Sequence, residues 1–302
     1  MPNRELLEDG HVNESLTLRL PDGRELSYAE YGDPDGVAGF YFHGHPGSRF
    51  EAQLAHDAAS GQGIRIIALD RPGYGRSTHL PARRLLDWPA DVAAAADQLG
   101  LERFSVLGAS GGGPYALACG YALPQRVTTV GVVSGVGPYG APGVTKGMRW
   151  QNRVGFQLSA RIPALARFLM WSMARQVRRN PERVVEAIGR AMSGADAEAV
   201  RRPEVQDLLA KVLTEAFRQG SRGPAQDIVL LGRPWHFELR DVHVPVLLWQ
   251  GEADVLVPPA MGRYMEAHLS SCIARYFPGE GHLLVLHHLP EVLAAVHDQV
   301  GG

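Results

Sequence analysis

Cysteine is scarce in this sequence of 302 residues, which contains only Cys119 and Cys272. Both lie in apolar stretches, so we expect small buried side chains rather than a disulfide pair. No apolar run approaches the length of about 20 residues that a membrane-spanning helix needs. Residues 1–10 lack the apolar segment of a secretory signal peptide. These absences predict a protein of the reducing cytoplasm with no membrane partner.

An excess of charge of one sign is also absent overall, because 30 Lys and Arg stand against 32 Asp and Glu. This balance gives no electrostatic reason to expect nucleic acid as a partner. It hides an asymmetry, since residues 141–240 hold 17 basic and 9 acidic side chains, whereas the rest of the chain holds 13 and 23. The shift indicates that the middle segment is a separate structural unit. Solvated, arginine-rich helix faces explain it best, and steering of an anionic substrate is the alternative.

Short apolar runs alternate with helical periodicity over most of the chain. This alternation predicts an α/β fold with a mainly parallel sheet and helices on both of its faces. A hairpin is predicted at 16–20 and 25–31, around the turn at 21–23. Further strands are predicted at 39–42, 64–69, 104–107, 127–133, 244–249 and 273–277, with helices at 89–99, 114–122, from about 259, and at 290–299.

The middle of the chain has a different pattern, because residues 145–220 show helical periodicity and few strand-like runs. We therefore expect a helical segment inserted after the strand predicted at 127–133. The predicted organisation is a first part of the sheet core at 1–138, a helical cap at 139–235, and a second part of the core at 236–302.

The segment Gly108-Ala109-Ser110-Gly111-Gly112 matches G-x-S-x-G between a predicted strand and a predicted helix. In this context the motif predicts a nucleophilic serine, Ser110, held in a strained turn above the sheet edge. Gly108 and Gly112 remove side chains that would clash in such a turn. A glycine-rich turn with an incidental serine is the alternative. A phosphate loop is disfavoured, because no Gly-Lys-Ser/Thr follows.

A second glycine-rich loop, His-Gly-His-Pro-Gly-Ser at 43–48, also follows a predicted strand. Together with the serine motif, it resembles the α/β-hydrolase superfamily, in particular its capped esterases and proline-iminopeptidase-like members. The resemblance covers residues 16–138 and 235–300. It implies that the backbone N–H groups of His45 and Gly111 form an oxyanion hole, which stabilises the negative charge of a tetrahedral intermediate.

Other polar residues of these loops are expected to be structural. A zinc site at His43 and His45 is disfavoured, because no third ligand follows at a recognisable spacing. The side chain of His43 is expected to order its loop, whereas the sequence does not orient that of His45. Residues 70–77 resemble another loop of the superfamily, in which Asp70 and Arg71 are expected to have structural roles.

The resemblance implies the chain order serine, acid, histidine. Asp254 follows the strand predicted at 244–249, at the G-x-x-D position of the family. Some members of the superfamily place the acid after the preceding strand, but residues 134–137 of this chain contain no carboxylate. Glu252 is the only close rival, and we expect it to be an ordinary loop residue. Asp254 is therefore the predicted acid of a catalytic triad.

The predicted base is His282. Among twelve histidines, only this one lies in a glycine-rich loop after the last predicted strand, in Gly279-Glu280-Gly281-His282. A serine hydroxyl is a weak nucleophile at neutral pH and needs such a base, which in turn needs an orienting carboxylate. His282 is expected to take the proton of Ser110, while Asp254 holds the imidazole in place.

These residues predict a serine hydrolase of the carboxylesterase type, which cleaves a carboxylic ester or related acyl bond of a small molecule beneath the cap. No cofactor and no metal are expected. The G-x-G-x-x-G match at 135–140 fails as a dinucleotide site, because prolines argue against a helix there. The protein is expected to be a monomer or a homodimer. Four aromatic residues of the cap are expected to pack its core, with lining of an acyl pocket as the alternative: Trp150, Phe156, Phe168 and Trp171.

Several other activities remain open, because one fold hosts many of them. A proline-iminopeptidase-like enzyme would need an acidic group in the cap to bind a free amine, and this cap is basic. Within this superfamily the same triad also supports cofactor-free haloperoxidase, C–C-bond hydrolase and hydroxynitrile-lyase chemistry. A receptor-like protein that binds a ligand with little turnover belongs to a different functional class. Epoxide hydrolases and haloalkane dehalogenases are disfavoured, because those relatives carry Asp where this chain has Ser110.

Overall fold

In the computed structural model, which describes residues 13–297, eight strands form one sheet. They are β1 (Asn13–Arg19), β2 (Glu25–Gly32), β3 (Val37–Phe42), β4 (Ile64–Leu69), β5 (Phe104–Ala109), β6 (Val127–Val133), β7 (Val246–Gly251) and β8 (Cys272–Phe277). Their order across the sheet is β1-β2-β4-β3-β5-β6-β7-β8. The pairs β1/β2 and β2/β4 are antiparallel and the other five are parallel. The predicted mainly parallel sheet is confirmed.

Within the described range, eleven α-helices accompany this sheet. They are α1 (His56–Gly61), α2 (Trp88–Gln98), α3 (Gly113–Ala122), α4 (Trp150–Arg161), α5 (Pro163–Arg179), α6 (Pro181–Ala191), α7 (Gly194–Val200), α8 (Pro203–Ala216), α9 (Arg222–Leu231), α10 (Pro259–His268) and α11 (Val285–His297). Short 3-10 segments occupy Arg49–Ala55, Leu85–Asp87, Ser110–Gly112 and Leu239–Asp241. The helices α4 to α9 form a continuous helical segment between β6 and β7.

Apolar clusters cover both faces of the sheet. Successive residues of a strand point to opposite faces, so Val106 belongs to one cluster and Leu107 to the other. The first cluster includes residues of α2, α3 and α10, and the second includes residues of α1 and α11. Because both faces are buried, the central strands are continuous apolar runs rather than alternating ones, and every residue of β6 is buried.

The carboxyl ends of the parallel strands lie at one edge of the sheet. The loops that follow β3, β4, β5, β7 and β8 therefore converge there, and ligands of open α/β sheets bind at this edge. Among residues 13–297, no helix is long and apolar enough to cross a membrane. Cys119 is buried, Cys272 is only half-buried, and both are free thiols.

The last helix differs from its prediction, because it begins at Val285 rather than at 290. Pro290, the first residue of the predicted helix, lies inside the observed one, where it lacks the N–H that would bond the preceding turn. Burial of Val292, Leu293 and Val296 against the sheet stabilises the helix in spite of this loss. Residues 1–12 and 298–302 lie outside the described residues, and with them the predicted end of this helix and residues 1–10, which are expected to carry no signal peptide.

The predicted role of the cap aromatics is wrong for three of the four residues. Trp150, Phe168 and Trp171 are 70%, 60% and 49% exposed, and they neither pack a core nor line the cavity described below. Phe156 alone is half-buried, and it stacks on Tyr139. The cause in α5 is that its buried face is formed by small and flexible side chains at helical spacing, namely Ala166, Met170, Ala174 and Val177.

Candidate active site

Ser110 lies at the turn between β5 and α3 with a φ of 51°, a left-handed conformation that costs energy for any residue other than glycine. The turn is crowded on both sides. A Cβ on Gly108 would lie 2.4 Å from the carbonyl oxygen of Gly112, and one on Gly112 would lie 2.0 Å from that of Phe42. Glycine is therefore required at both positions, as the motif predicts.

Ser110, His282 and Asp254 lie in hydrogen-bonding contact. The distance from His282 Nε2 to Ser110 Oγ is 3.0 Å, and that from His282 Nδ1 to Asp254 Oδ2 is 2.7 Å. The other carboxylate oxygen of Asp254 accepts the backbone N–H groups of Leu256 and Val257 at 2.8 and 2.9 Å. Because an ionised carboxylate can only accept, Nδ1 carries the proton and Nε2 is free to accept one from the serine hydroxyl.

The two alternative acid positions are occupied differently. At the position after β6, Ser134 donates a hydrogen bond from Oγ to the carbonyl oxygen of His282 at 3.0 Å, so it supports the histidine loop. Glu252 forms an exposed ion pair with Arg263 at 2.9 Å. Within the described part of the chain, neither side chain forms a hydrogen bond with the His282 ring, whose partners are Asp254 and Ser110.

His282 is a stronger base than a free histidine. Burial acts to lower its pKa, but the negative charges of Asp254, Asp196 and Glu51 outweigh burial and raise the pKa above its usual value. Asp254 acts both by its charge and by the hydrogen bond to the ring. The same interactions stabilise the imidazolium that would form when the ring takes a proton.

Asp196, on α7, holds the backbone of the histidine loop. Its carboxylate accepts the N–H of His282 at 2.9 Å and that of Leu283 at 2.8 Å. A Cβ on Gly281 would lie 2.2 Å from Asp196 Oδ2, so glycine allows this close approach. Sequence reasoning missed this role, because Ser193 and Asp196 have the spacing of a helix N-cap and would be assigned to that alone.

The loop after β3 brings two backbone nitrogens together. The nitrogen of His45 lies 3.1 Å from the position that a Cβ on Gly111 would occupy. Arg71 donates to the carbonyl oxygens of His43 and Gly44 and fixes the orientation of these peptides. The N–H of His45 donates to no acceptor between residues 13 and 297. The residues predicted for an oxyanion hole are thus adjacent.

Arg71 is itself held by a buried ionic network around Asp227 of α9. Asp227 forms ion pairs with Arg71 and Arg83 and accepts the hydroxyl groups of Tyr74 and Tyr115. Burial acts to raise the pKa of Asp227, but the two guanidinium groups outweigh it and hold the pKa far below its usual value. The structural role predicted for Arg71 therefore includes a direct connection between the helical segment and the loop that carries His45.

Glu51, in the 3-10 segment after this loop, is a second residue that sequence reasoning missed. Its Oε2 atom accepts the N–H of Gly44 at 2.8 Å and the hydroxyl of Tyr41 at 3.1 Å. Burial raises the pKa of Glu51 to about 7. No local pattern distinguishes it from a solvated helix glutamate, because its burial depends on elements distant in the sequence.

A cavity of about 220 Å³ opens beside Ser110 and His282. Gly44, His45 and Glu51 line its polar end. Its walls are mainly aliphatic, and the helical segment and α11 contribute most of them: Val185, Ile188, Met192, Val205, Leu208, Leu209, Val212, Leu213, Val285, Leu286, Leu289 and Leu293. A site of this kind suits an apolar substrate with a reactive polar group at one end.

Comparison with curated proteins gives partial matches of moderate identity. The chain is 35% identical over 124 residues to a non-heme chloroperoxidase from Streptomyces lividans, a match that covers 40% of this chain and 45% of that protein. It is 33% identical over 116 residues to a proline iminopeptidase from Xylella fastidiosa, covering 37% of this chain and 36% of that protein. Each match therefore spans less than half of the relative.

Solved structures resemble almost the whole fold. An α/β hydrolase fold protein from Nakamurella multipartita has a TM-score of 0.69 at 24% identity, covering 95% of this chain and all of that one. An esterase from Exiguobacterium antarcticum has a TM-score of 0.69 at 17% identity, covering 94% and 99%. A family model described as the alpha/beta hydrolase family matches residues 40–296. The chain belongs to the alpha/beta hydrolase family.

Proposed function

We propose that this protein is a serine hydrolase that cleaves a carboxylic ester or related acyl bond through Ser110, His282 and Asp254. The observation that carries the proposal is the continuous series of hydrogen bonds among these side chains, 3.0 Å from serine to histidine and 2.7 Å from histidine to aspartate. Such a series activates a hydroxyl that is otherwise a poor nucleophile.

The chemistry proceeds in two half-reactions. His282 Nε2 takes the proton of Ser110 as Oγ attacks the carbonyl carbon, and Asp254 stabilises the imidazolium. The N–H groups of His45 and Gly111 donate to the oxyanion of the tetrahedral intermediate. The imidazolium gives its proton to the leaving alcohol, which leaves an acyl group on Ser110. A water molecule then attacks the acyl carbonyl carbon and gives a proton to His282. The acyl–Oγ bond breaks, the carboxylic acid leaves, and His282 returns the proton to Ser110.

The aliphatic walls of the cavity support a small or medium aliphatic acyl group as substrate and a carboxylesterase as the enzyme class. Burying one methylene group is worth about 0.8 kcal/mol, which corresponds to a factor of about four in affinity. We therefore expect kcat/KM for 4-nitrophenyl esters to rise about fourfold per added methylene from acetate upward, until the cavity is filled. An epoxide hydrolase is disfavoured, because the nucleophile position holds Ser110 rather than aspartate.

The test is hydrolysis of 4-nitrophenyl butyrate by the wild type and by Ser110→Ala. The variant should lose at least about 10³-fold in kcat, in keeping with the loss of a triad nucleophile. Ser60→Ala, at an exposed position of α1, is the matched control and should retain full activity. A serine-directed fluorophosphonate should add its mass to Ser110 alone. Unchanged activity in Ser110→Ala would refute the nucleophile assignment, and a wild type inactive on every ester would favour a ligand-binding protein.

A further inference from the structure

Glu51 has one engaged and one unengaged carboxylate oxygen. Oε2 accepts two hydrogen bonds, from Gly44 and Tyr41, whereas Oε1 receives none from any donor in residues 13–297. Glu51 is half-buried and lines the cavity, so Oε1 is accessible to a ligand there. Glycine at position 47 leaves room for this oxygen, because a Cβ there would lie 2.0 Å from Oε1. The chain thus makes room for an acceptor that none of its described donors uses.

The unengaged oxygen lies close to the nucleophile. The position that a Cβ on Gly44 would occupy is 3.4 Å from Glu51 Oε1 and 3.5 Å from Ser110 Cβ. The two atoms are therefore no more than 6.9 Å apart, the sum of those distances. Gly44, Glu51 and Ser110 all line the same cavity. A substituent next to the scissile carbonyl group would be within reach of Oε1.

The ring of His45, a residue that also lines this end of the cavity, donates its one proton elsewhere. Tyr74 donates its hydroxyl proton to Asp227, so its oxygen accepts from His45 Nδ1, at 2.9 Å. Nε2 of His45 then carries no proton, and it is buried without a hydrogen bond. Burial lowers the pKa of His45 to about 4, which keeps the ring neutral. The His45 ring therefore supplies no donor to Glu51 Oε1, and this oxygen is left for a donor that the ligand carries.

We propose that Glu51 Oε1 binds a hydroxyl or ammonium group that the substrate carries close to its scissile carbonyl group. The substrate class is then a hydroxyacyl or aminoacyl ester with an aliphatic chain. This inference rests on the proposed esterase function. In this inference Glu51 determines the substrate specificity, while the nucleophile, base and acid keep the roles proposed above.

The charge state of Glu51 distinguishes a hydroxyl donor of the substrate from an ammonium donor. Its pKa of about 7 results from burial, which outweighs the opposing effects of the Gly44 N–H, Arg71, Tyr41 and His282. Other charged groups near this segment are paired elsewhere, Arg49 with Asp70 and Glu215, and Lys211 with Glu14. A hydroxyl can donate to either form of the carboxyl group, whereas an ammonium group gains most from the ionised form. Selectivity for an ammonium substrate should therefore rise steeply as the pH passes through 7, and selectivity for a hydroxyl substrate should rise less.

The experiment compares kcat/KM for 4-nitrophenyl esters of butyrate, 3-hydroxybutyrate and 3-aminobutyrate from pH 6 to pH 8.5. Each value is divided by that for butyrate at the same pH, which cancels the titration of His282. The wild type should prefer one donor-bearing ester by ~10-fold to 100-fold, the value of a hydrogen bond to a charged group. Glu51→Gln turns Oε1 into an amide donor and should reduce this ratio to within about threefold. Glu102→Gln, an exposed control, should keep the wild-type ratio.

Equal kcat/KM values for the three esters in the wild type would overturn the inference, whether or not Glu51→Gln folds. So would a Glu51→Gln variant that keeps the wild-type ratio. A wild type that hydrolyses none of the esters refutes the proposed function instead. In that case the Kd values of butyramide, 3-hydroxybutyramide and 3-aminobutyramide for Ser110→Ala decide the inference: preference for a donor-bearing amide supports it, and equal Kd values overturn it.

Discussion

Replacing Asp196 by asparagine should shift the rising limb of the kcat/KM profile to lower pH. In the proposed mechanism the neutral imidazole of His282 is the base, so kcat/KM should rise as this ring loses its proton. The charge of Asp196 is one of three carboxylate charges that raise the pKa of His282. Asparagine removes that charge but keeps one carbonyl oxygen, so the pKa of His282 should fall and the base should become active at lower pH.

The cost in stability follows from the hydrogen bonds. The Asp196 carboxylate accepts two backbone N–H groups, from His282 and Leu283, on separate oxygens. Asparagine has only one acceptor oxygen, so one of the N–H groups loses its partner. A buried donor left unsatisfied costs about 1–3 kcal/mol, and we expect the free energy of unfolding to fall by that amount. In Asp196→Ala, which satisfies neither N–H group, the free energy of unfolding should fall further.

The assay is the pH dependence of 4-nitrophenyl ester hydrolysis, combined with urea denaturation at pH 7. Glu198→Gln is the matched control, because Glu198 is an exposed carboxylate on the same helix, α7. This control should move neither the pH profile nor the denaturation midpoint. If Asp196→Asn loses stability but the rising limb of its kcat/KM profile stays at the wild-type pH, the charge of Asp196 does not act on the base. If neither quantity changes, the contact between α7 and the histidine loop is absent.

Three other substitutions test separate parts of the structure. Asp227→Asn leaves two buried guanidinium groups without their carboxylate and should cost about 3–5 kcal/mol in urea denaturation at pH 7. Because the folded pKa of Asp227 is lowered, its contribution to stability is present above its unfolded pKa of about 4 and is lost as the pH falls below that value. Equal urea midpoints for the wild type and Asp227→Asn at pH 7 would contradict the network. Gly112→Ala should abolish ester hydrolysis because its Cβ meets the Phe42 carbonyl, whereas Gly155→Ala, with open space around it, should be neutral or stabilising in the same assays. Trp150→Gln should change the unfolding free energy by less than about 0.5 kcal/mol, and a larger loss in thermal denaturation would show that the side chain is packed after all.

The sheet and the positions of Ser110, Asp254 and His282 were predictable because each depends on a local pattern. A buried parallel strand is a short apolar run, and a glycine-rich loop after it marks the carboxyl edge of the sheet. The three side chains follow three different strands, and parallel pairing alone brings those strand ends together. The expectation that these three side chains meet therefore required no knowledge of the helical segment.

The helical segment was less predictable, because amphipathic periodicity does not say which face meets the core. In α5 the small side chains of Ala166 and Ala174 are buried, while Phe168 and Trp171 are exposed. A preference for the largest apolar residues therefore gave the wrong face. Close approach of a helix to its neighbours can favour small side chains, and this depends on helices that are distant in the sequence.

The base of the proposed triad depends on three parts of the fold at once. Asp254 comes from the loop after β7, Glu51 from the segment after β3, and Asp196 from α7 of the helical segment, and all three raise the pKa of His282. Only Asp196 also holds the backbone on which the imidazole is carried. A displacement of α7 would therefore weaken the base and misplace it together, whereas a loss of charge at Glu51 would only weaken it. The helical segment thus contributes to the chemistry of the site as well as to the shape of its cavity, and for this reason the strand-end motifs alone could not define the strength of the base.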